Sequence, residues 1–218
     1  MQKIQADYTL KTINSGNLDK LKSYFENLPV DPYLEGNYRF RRLSHFKVTS
    51  TGLIKLPHNR LFQSKEYNPL LGDIVREYPE IDDAVVELEE FQKIVFEFFE
   101  FCQMYSTFNE IGVHQIRTTT SDQQIGNPAP EHIHKDGVDW VGIFCVSREK
   151  IEGGKTELYK SKDEQPVFTQ ILNPSEFLVF SDRQFFHFTT PINVTADGSG
   201  SRDVFVLTCP GLLATARS

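Results

Sequence analysis

Apolar positions recur every three to four residues in the first half of this chain and every second residue in much of the second half. Leu18, Leu21, Phe25 and Leu28 follow helical spacing, with Asn17 placed to cap the segment. The strongest periodic signal runs from Ile81 to Tyr105. There Val85, Leu88, Phe91, Val95, Phe98 and Cys102 form one stripe, which predicts a scaffold helix packed on a sheet. Between the two helices, after the turn-rich DPYLEGN, the run RFRRLSHFKV predicts a strand. Phe40, Arg42, Ser44 and Phe46 share one of its faces, Arg41, Leu43 and His45 the other, and neither face is cleanly apolar. From Ile111 onward the runs IGVHQIRTTT, DWVGIFCVS, KTELYK, FTQIL, EFLVFS, FFHFTTPI and DVFVLTC are separated by Gly, Pro and Asn clusters, a spacing that predicts an antiparallel sandwich or open barrel. No fixed-period repeat, low-complexity tract or linker interrupts the 218 residues. The expectation is one α+β, mainly β domain over 1–218, with 1–110 as a helical buttress carrying substrate-side segments and 111–210 as the β core.

Composition narrows the class of function. A formal charge of -7 argues against general nucleic-acid binding, which needs clustered Lys and Arg to neutralise phosphate. No apolar stretch approaches the roughly 20 residues that span a bilayer. The opening residues lack a basic segment followed by an apolar one, so no secretory signal is read and the expected location is cytoplasmic. Cys102, Cys145 and Cys209 lie far apart among apolar neighbours, which predicts buried reduced thiols. Together these features favour a small-molecule substrate, with a monomer or homodimer as the expected state.

The segment PAPEHIHKDGVDW places His134 and Asp136 two residues apart, and side chains two apart on an extended backbone point the same way. His187 follows fifty-one residues beyond Asp136 in another predicted strand. Two imidazoles and one carboxylate make the facial triad of non-haem iron(II) oxygenases, which leaves three coordination positions open. A His and an Asp two apart is by itself a common accident of surface loops. The later His, the Gly-Gly turn between them and Arg202, fifteen residues after His187, raise its weight. Arg202, Val204, Val206 and Thr208 share a strand face, so the arginine heads an otherwise apolar row. A charge in that company needs an anionic partner, and a guanidinium matches a carboxylate as a two-pronged fork.

The order PAPExxHxDG, EGGxTxLY, a strand with His and then a strand with Arg resembles the bacterial 2-oxoglutarate/iron(II) dioxygenase family that includes free L-isoleucine hydroxylases. The resemblance extends to RFRRLSHFKV, LFQSKEYNPLLGDIVREYP and EIGVHQIR, and so covers most of the chain. It implies a double-stranded β-helix, iron held by His134, Asp136 and His187, and the distal carboxylate of 2-oxoglutarate held by Arg202. It further implies oxidative decarboxylation of 2-oxoglutarate with O2, giving succinate, CO2 and a hydroxylated substrate, with ascorbate expected to stimulate. Asp136 stands where related halogenases carry Gly, which favours hydroxylation. Many relatives read PEG where this chain has Glu131-His132, which places a bulkier residue near the expected substrate entrance.

A free amino acid needs a cation for its carboxylate and an acceptor for its ammonium group. Arg117, which shares a strand face with Gln115, is the leading candidate for the first role, with a structural salt bridge as its equal alternative, and Arg41 and Arg42 stand behind it. Glu131 is the candidate for the second. His114 and His132 read as supports behind the metal ligands or as satisfied histidines elsewhere, Trp140 as core, and Phe185, Phe186 and Phe188 as barrel packing that keeps water out. Competing readings are a hydroxylase of a peptide or carrier-bound residue, a desaturase or cyclase that begins from the same hydrogen abstraction, and a metal-binding cupin without oxidative activity.

Overall fold

The computed structural model describes residues 7–14 and 16–212. Its main sheet is built from β1 (Tyr8–Thr12), β2 (Arg39–Thr49), β3 (Gly52–Lys55), β4 (Glu110–Ser121), β5 (Trp140–Glu149), β9 (Glu176–Ser181) and β12 (Ser199–Cys209). The strands lie in the order β1-β9-β5-β12-β4-β2-β3, and every pairing is antiparallel. A smaller layer is made of β10 (Phe186–Thr189), β7 (Lys155–Tyr159) and β8 (Phe168–Ile171), with β11 (Ile192–Val194) pairing β6 (Ile151–Gly153) beside it. The chain at Gly126 and at His134 extends this layer by single bridges to Ile192 and His187. Gly153 and Gly154, which join β6 to β7, both have positive φ, and a Cβ at Gly153 would lie 2.2 Å from the Pro191 carbonyl oxygen. That turn admits only glycine there.

Three helices, α1 (Leu18–Lys22), α2 (Asp83–Val86) and α3 (Glu89–Gln103), lie on the far side of the main sheet. The stripe read from the sequence supplies their contact: Val85, Phe91, Val95, Phe98 and Cys102 are buried against Phe46, Phe144, Phe177 and Phe205 of the sheet. Trp140 joins this core, 5.0 Å from Phe101. A second cluster, with Ile143, Phe180 and Val204 from the main sheet and Leu158 from β7, glues the two β layers together. The main sheet is therefore covered on both faces, and the cavity described below lies on the side opposite the helices.

The structure corrects several expectations. The helix predicted over Ile81–Tyr105 is two helices, because Leu88 is extended (φ -68, ψ 129) and starts α3 afresh. The first helix is shorter than its spacing implies; Asn17 does cap it, accepting from Asp19 N at 3.0 Å, but the segment continues as a 3-10 turn over Ser23–Phe25. The first 110 residues are more than a helical buttress, since they contribute β1, β2 and β3 to the main sheet. Of the phenylalanine cluster only Phe185 is core; Phe186 and Phe188 alternate outward, Phe186 lying under the ammonium groups of Lys135 and Lys162. All three cysteines are buried and reduced. No helix among the described residues is long and apolar enough to cross a membrane.

Candidate active site

His134, Asp136 and His187 converge at the mouth of the layer of smaller strands, their ligand-capable atoms all within 4.8 Å of one another. Backbone pairing brings the two histidines together: His134 N donates to His187 O at 3.1 Å and His187 N to His134 O at 2.8 Å. The Nδ1–H of His134 donates to the His132 carbonyl at 2.7 Å, and Nε2 faces Asp136 Oδ1 at 3.8 Å. On the other side, His187 Nε2 lies 3.7 Å from Asp136 Oδ2. Burial and the neighbouring His134 hold the His187 pKa well below its ordinary value, so the ring is neutral, as a metal ligand must be.

Two side chains that sequence reasoning passed over hold Asp136 in place. Asp182, at the end of β9, accepts the backbone N–H groups of Asp136, Gly137 and Val138 through Oδ2 at 3.1, 2.7 and 3.1 Å. Burial and the Asp136 carboxylate push its own pKa up to about 7, against the three donors that hold it down. Gln63 donates from Nε2 to Asp136 Oδ1 at 3.0 Å while its Oε1 accepts from Arg76 Nη2 at 2.6 Å. Because a guanidinium only donates, the orientation of the Gln63 amide is determined. The one available signal for Asp182 was the Ser-Asp pair closing a strand five residues before His187; nothing periodic marked Gln63 or Arg76.

The triad opens into a cavity between the layers whose floor is one face of β2, β4 and β12. Its apolar wall includes Ile116, Ile143, Val204 and Val206, and its polar groups include Arg39, Arg41, Arg76, His114, Thr118 and Arg202. Arg202 is only 3% exposed, and among the described residues its Nε and Nη2 have no hydrogen-bond partner. Burial pushes its pKa down to about 10, so the guanidinium remains charged at neutral pH. A buried cation with open donors awaits an anion. The donor set therefore fits iron(II), and the orphaned fork of Arg202 fits one carboxylate of 2-oxoglutarate.

The remaining sequence candidates divide. Glu131 lines the cavity, with Oε1 3.5 Å from His134 Nε2 and Oε2 3.9 Å from Arg39 Nη1. Arg41 lines it too and bonds His114 Nδ1, so His114 belongs to the cavity wall. Arg117 and Gln115 do not: strand alternation turns them to the helix face of β4. There Arg117 forms a two-pronged pair with the fully buried Asp203 at 2.7 and 2.8 Å, and Gln115 donates to Tyr24 O. A bulge between β5 and β12 beside Asp203 brings Ser147 Oγ to the same carboxylate at 2.7 Å. Arg42 points away as well, donating to Glu80 O at 2.7 Å. His132 is exposed, outside the cavity lining, and stacked on Phe188. Its φ of 64 is the left-handed conformation that favours glycine, which explains the Gly of the resembling sequences.

Comparison with known proteins agrees with this geometry. A 3(1)-hydroxy-L-isoleucine 4-dioxygenase of Pantoea ananatis is 26% identical over 198 residues, covering 88% of this chain and 80% of its own length. An L-isoleucine-4-hydroxylase of Bacillus thuringiensis is 29% identical over 204 residues, covering 89% and 83%. Among solved structures, a bsmA homolog from Methylobium petroleophilum PM1 superposes with a TM-score of 0.77 at 27% identity, covering 87% of this chain and 79% of the other. The two facing β layers are thus the double-stranded β-helix that the resemblance implied. With the 2OG-Fe dioxygenase family model matching residues 22–208, across every strand that carries the site, this chain belongs to the 2OG-Fe dioxygenase family.

Proposed function

We propose that this dioxygenase hydroxylates a C–H bond of a free L-amino acid of aliphatic character, with His134, Asp136 and His187 holding iron(II) and Arg202 holding the far carboxylate of 2-oxoglutarate. The observation that carries the roles is the pairing of a preformed two-histidine, one-carboxylate cluster with a buried, unpartnered arginine on the same cavity. When bound, iron(II) would activate O2 with 2-oxoglutarate as the electron donor: the cosubstrate would be oxidised to succinate and CO2, taking one oxygen atom, and the other would enter the substrate.

The residues of the chain position and protect. The His132 carbonyl fixes which nitrogen of His134 faces the metal, and Gln63 and Asp182 keep the Asp136 carboxylate and its backbone from turning away. In this reading Glu131, whose Oε1 lies 3.5 Å from His134 Nε2, accepts the substrate's ammonium group. Ile116, Ile143, Val204 and Val206 offer an apolar wall to an aliphatic side chain and exclude water from the reacting carbon. Small size of the substrate is supported by enclosure, since Arg39, Arg41 and Arg76 are only 4%, 8% and 1% exposed. The isoleucine-acting relatives favour the same class of substrate.

Succinate formation that depends on iron(II) and 2-oxoglutarate, and that disappears in Asp136→Ala along with iron binding, is the expected result. Full activity in that variant would remove Asp136 from the metal site.

A further inference from the structure

We propose that Arg41 and Arg76 form a second anion site in the cavity, separate from Arg202, which binds the α-carboxylate of the substrate; the assignment rests on the free-amino-acid reading above. Both guanidinium groups are buried, both line the cavity, and among the described residues the Nε atom of each has no hydrogen-bond partner. Among the described residues neither makes an ion pair. The nearby carboxylates are engaged elsewhere: Asp31 accepts from Arg39 Nε at 3.0 Å, and Glu131 lies between Arg39 and His134. Two cations held in a dry cavity without a counter-charge are costly, and an arriving carboxylate removes that cost.

The surroundings hold both forks rigid. The Arg41 guanidinium lies 4.5 Å over the Tyr78 ring and bonds His114 Nδ1, and burial beside Arg41 holds His114 neutral, an acceptor rather than a competing cation. Arg76 is pinned through its backbone to Leu61 at 2.8 and 2.9 Å and through Nη2 to Gln63.

Strand register separates this site from Arg202. Arg39, Thr118 and Arg202 stand in one row across β2, β4 and β12, while Arg41, Ile116 and Val204 stand in the next row of the same face. Two strand spacings and two residues of rise put the Cα atoms of Arg41 and Arg202 about 12 Å apart, with an apolar step between them. Arg76 also reaches Asp136 through one side chain, Gln63, so a carboxylate seated on Arg76 is anchored beside the metal ligands, and the carbons beyond it are presented to them. The arrangement demands a free acid: an amide or thioester at that carbon, as in a peptide or carrier-bound residue, carries no charge for two buried guanidinium groups.

The test compares acid and amide on the protein loaded with iron(II) and 2-oxoglutarate. L-Isoleucine, the other proteinogenic L-amino acids and their carboxamides are titrated by calorimetry without oxygen, so that no turnover occurs, and kcat/KM is then measured in air. On the unaltered protein the tightest-binding acid should outbind its amide by on the order of a hundredfold. Arg41→Gln and Arg76→Gln should each weaken the acid by a similar factor and shrink the acid-to-amide ratio to about fivefold or less, with the 2-oxoglutarate Kd unchanged. The acid-to-amide comparison needs no substitution, and retained 2-oxoglutarate binding shows that a variant is folded. An amide bound as tightly as its acid, or variants that lose 2-oxoglutarate and not the amino acid, would overturn the assignment. If no free amino acid binds while succinate is still formed, the free-amino-acid reading itself falls, and this site with it.

Discussion

Replacing Asp182 with Ala removes the acceptor for three consecutive backbone N–H groups at the turn that carries Asp136. The Gly137 amide belongs to an exposed residue and that of Asp136 to a half-buried one, so both can turn to water, whereas Val138 is 5% exposed and its amide is left without a partner. One orphaned buried donor costs about 1–3 kcal/mol. For a chain of this size, that corresponds to a fall in Tm of roughly 2–12 °C. The larger consequence is for the metal, because the turn sets the direction of the Asp136 carboxylate. Loss of such a supporting contact weakens metal affinity by about 10–100-fold. Asp182→Asn should recover most of both effects, since an amide oxygen at the Oδ2 position still faces all three donors. Thermal denaturation and anaerobic iron(II) titration of the parent and both variants measure this. An Asp182→Ala protein with the parent's Tm and iron affinity would refute the idea that this carboxylate supports the site.

Other outcomes follow from the same contacts. Arg202→Ala should raise the 2-oxoglutarate Kd by about 10–100-fold, as expected when a charged hydrogen-bond partner is removed, and leave iron binding intact; an unchanged Kd would place the clamp elsewhere. Arg117→Ala should cost about 3–5 kcal/mol of stability, because it strands the fully buried Asp203, and the KM for the amino acid should not move. A raised KM with unchanged stability would return Arg117 to the substrate. Gly142→Ala should destabilise by about 1–3 kcal/mol, since its Cβ would meet Phe98 at 2.8 Å and Phe177 at 2.9 Å where α3 packs on the sheet; calorimetric unfolding checks it.

The triad was legible because its geometry is local. Two residues of strand spacing align His134 with Asp136, and a β segment of fixed pattern delivers His187. Arg202 was legible for a similar reason, as a charge at the head of an apolar strand face. The two readings of Arg117, substrate cation and structural ion pair, stayed open because β4 is buried on both sides, so alternation tells which residues share a face but not which face meets the cavity. That choice is made by sheet order: β4 lies between β2 and β12, with the helices on one side and the layer of smaller strands on the other. The same ambiguity hid Arg39, which shares its face with Arg41 on β2. Gln63 and Arg76 come from segments outside the named strands and helices that no periodicity marks, and only the folded chain shows that Arg76 bonds Gln63 and Gln63 bonds Asp136. β1 was missed because it is five residues long, its burial alternates between exposed and half-buried, and Tyr8 and Leu10 are its only apolar pair.

The most direct test of the account is mass spectrometry of free L-amino acids incubated with purified protein, iron(II), ascorbate, 2-oxoglutarate and air, with succinate measured in parallel. The account predicts that one aliphatic amino acid gains a single oxygen atom in step with succinate, and that Asp136→Ala yields neither product. Succinate without any oxidised amino acid would contradict the substrate assignment, and no succinate at all would contradict the catalytic reading of the His134, Asp136 and His187 site.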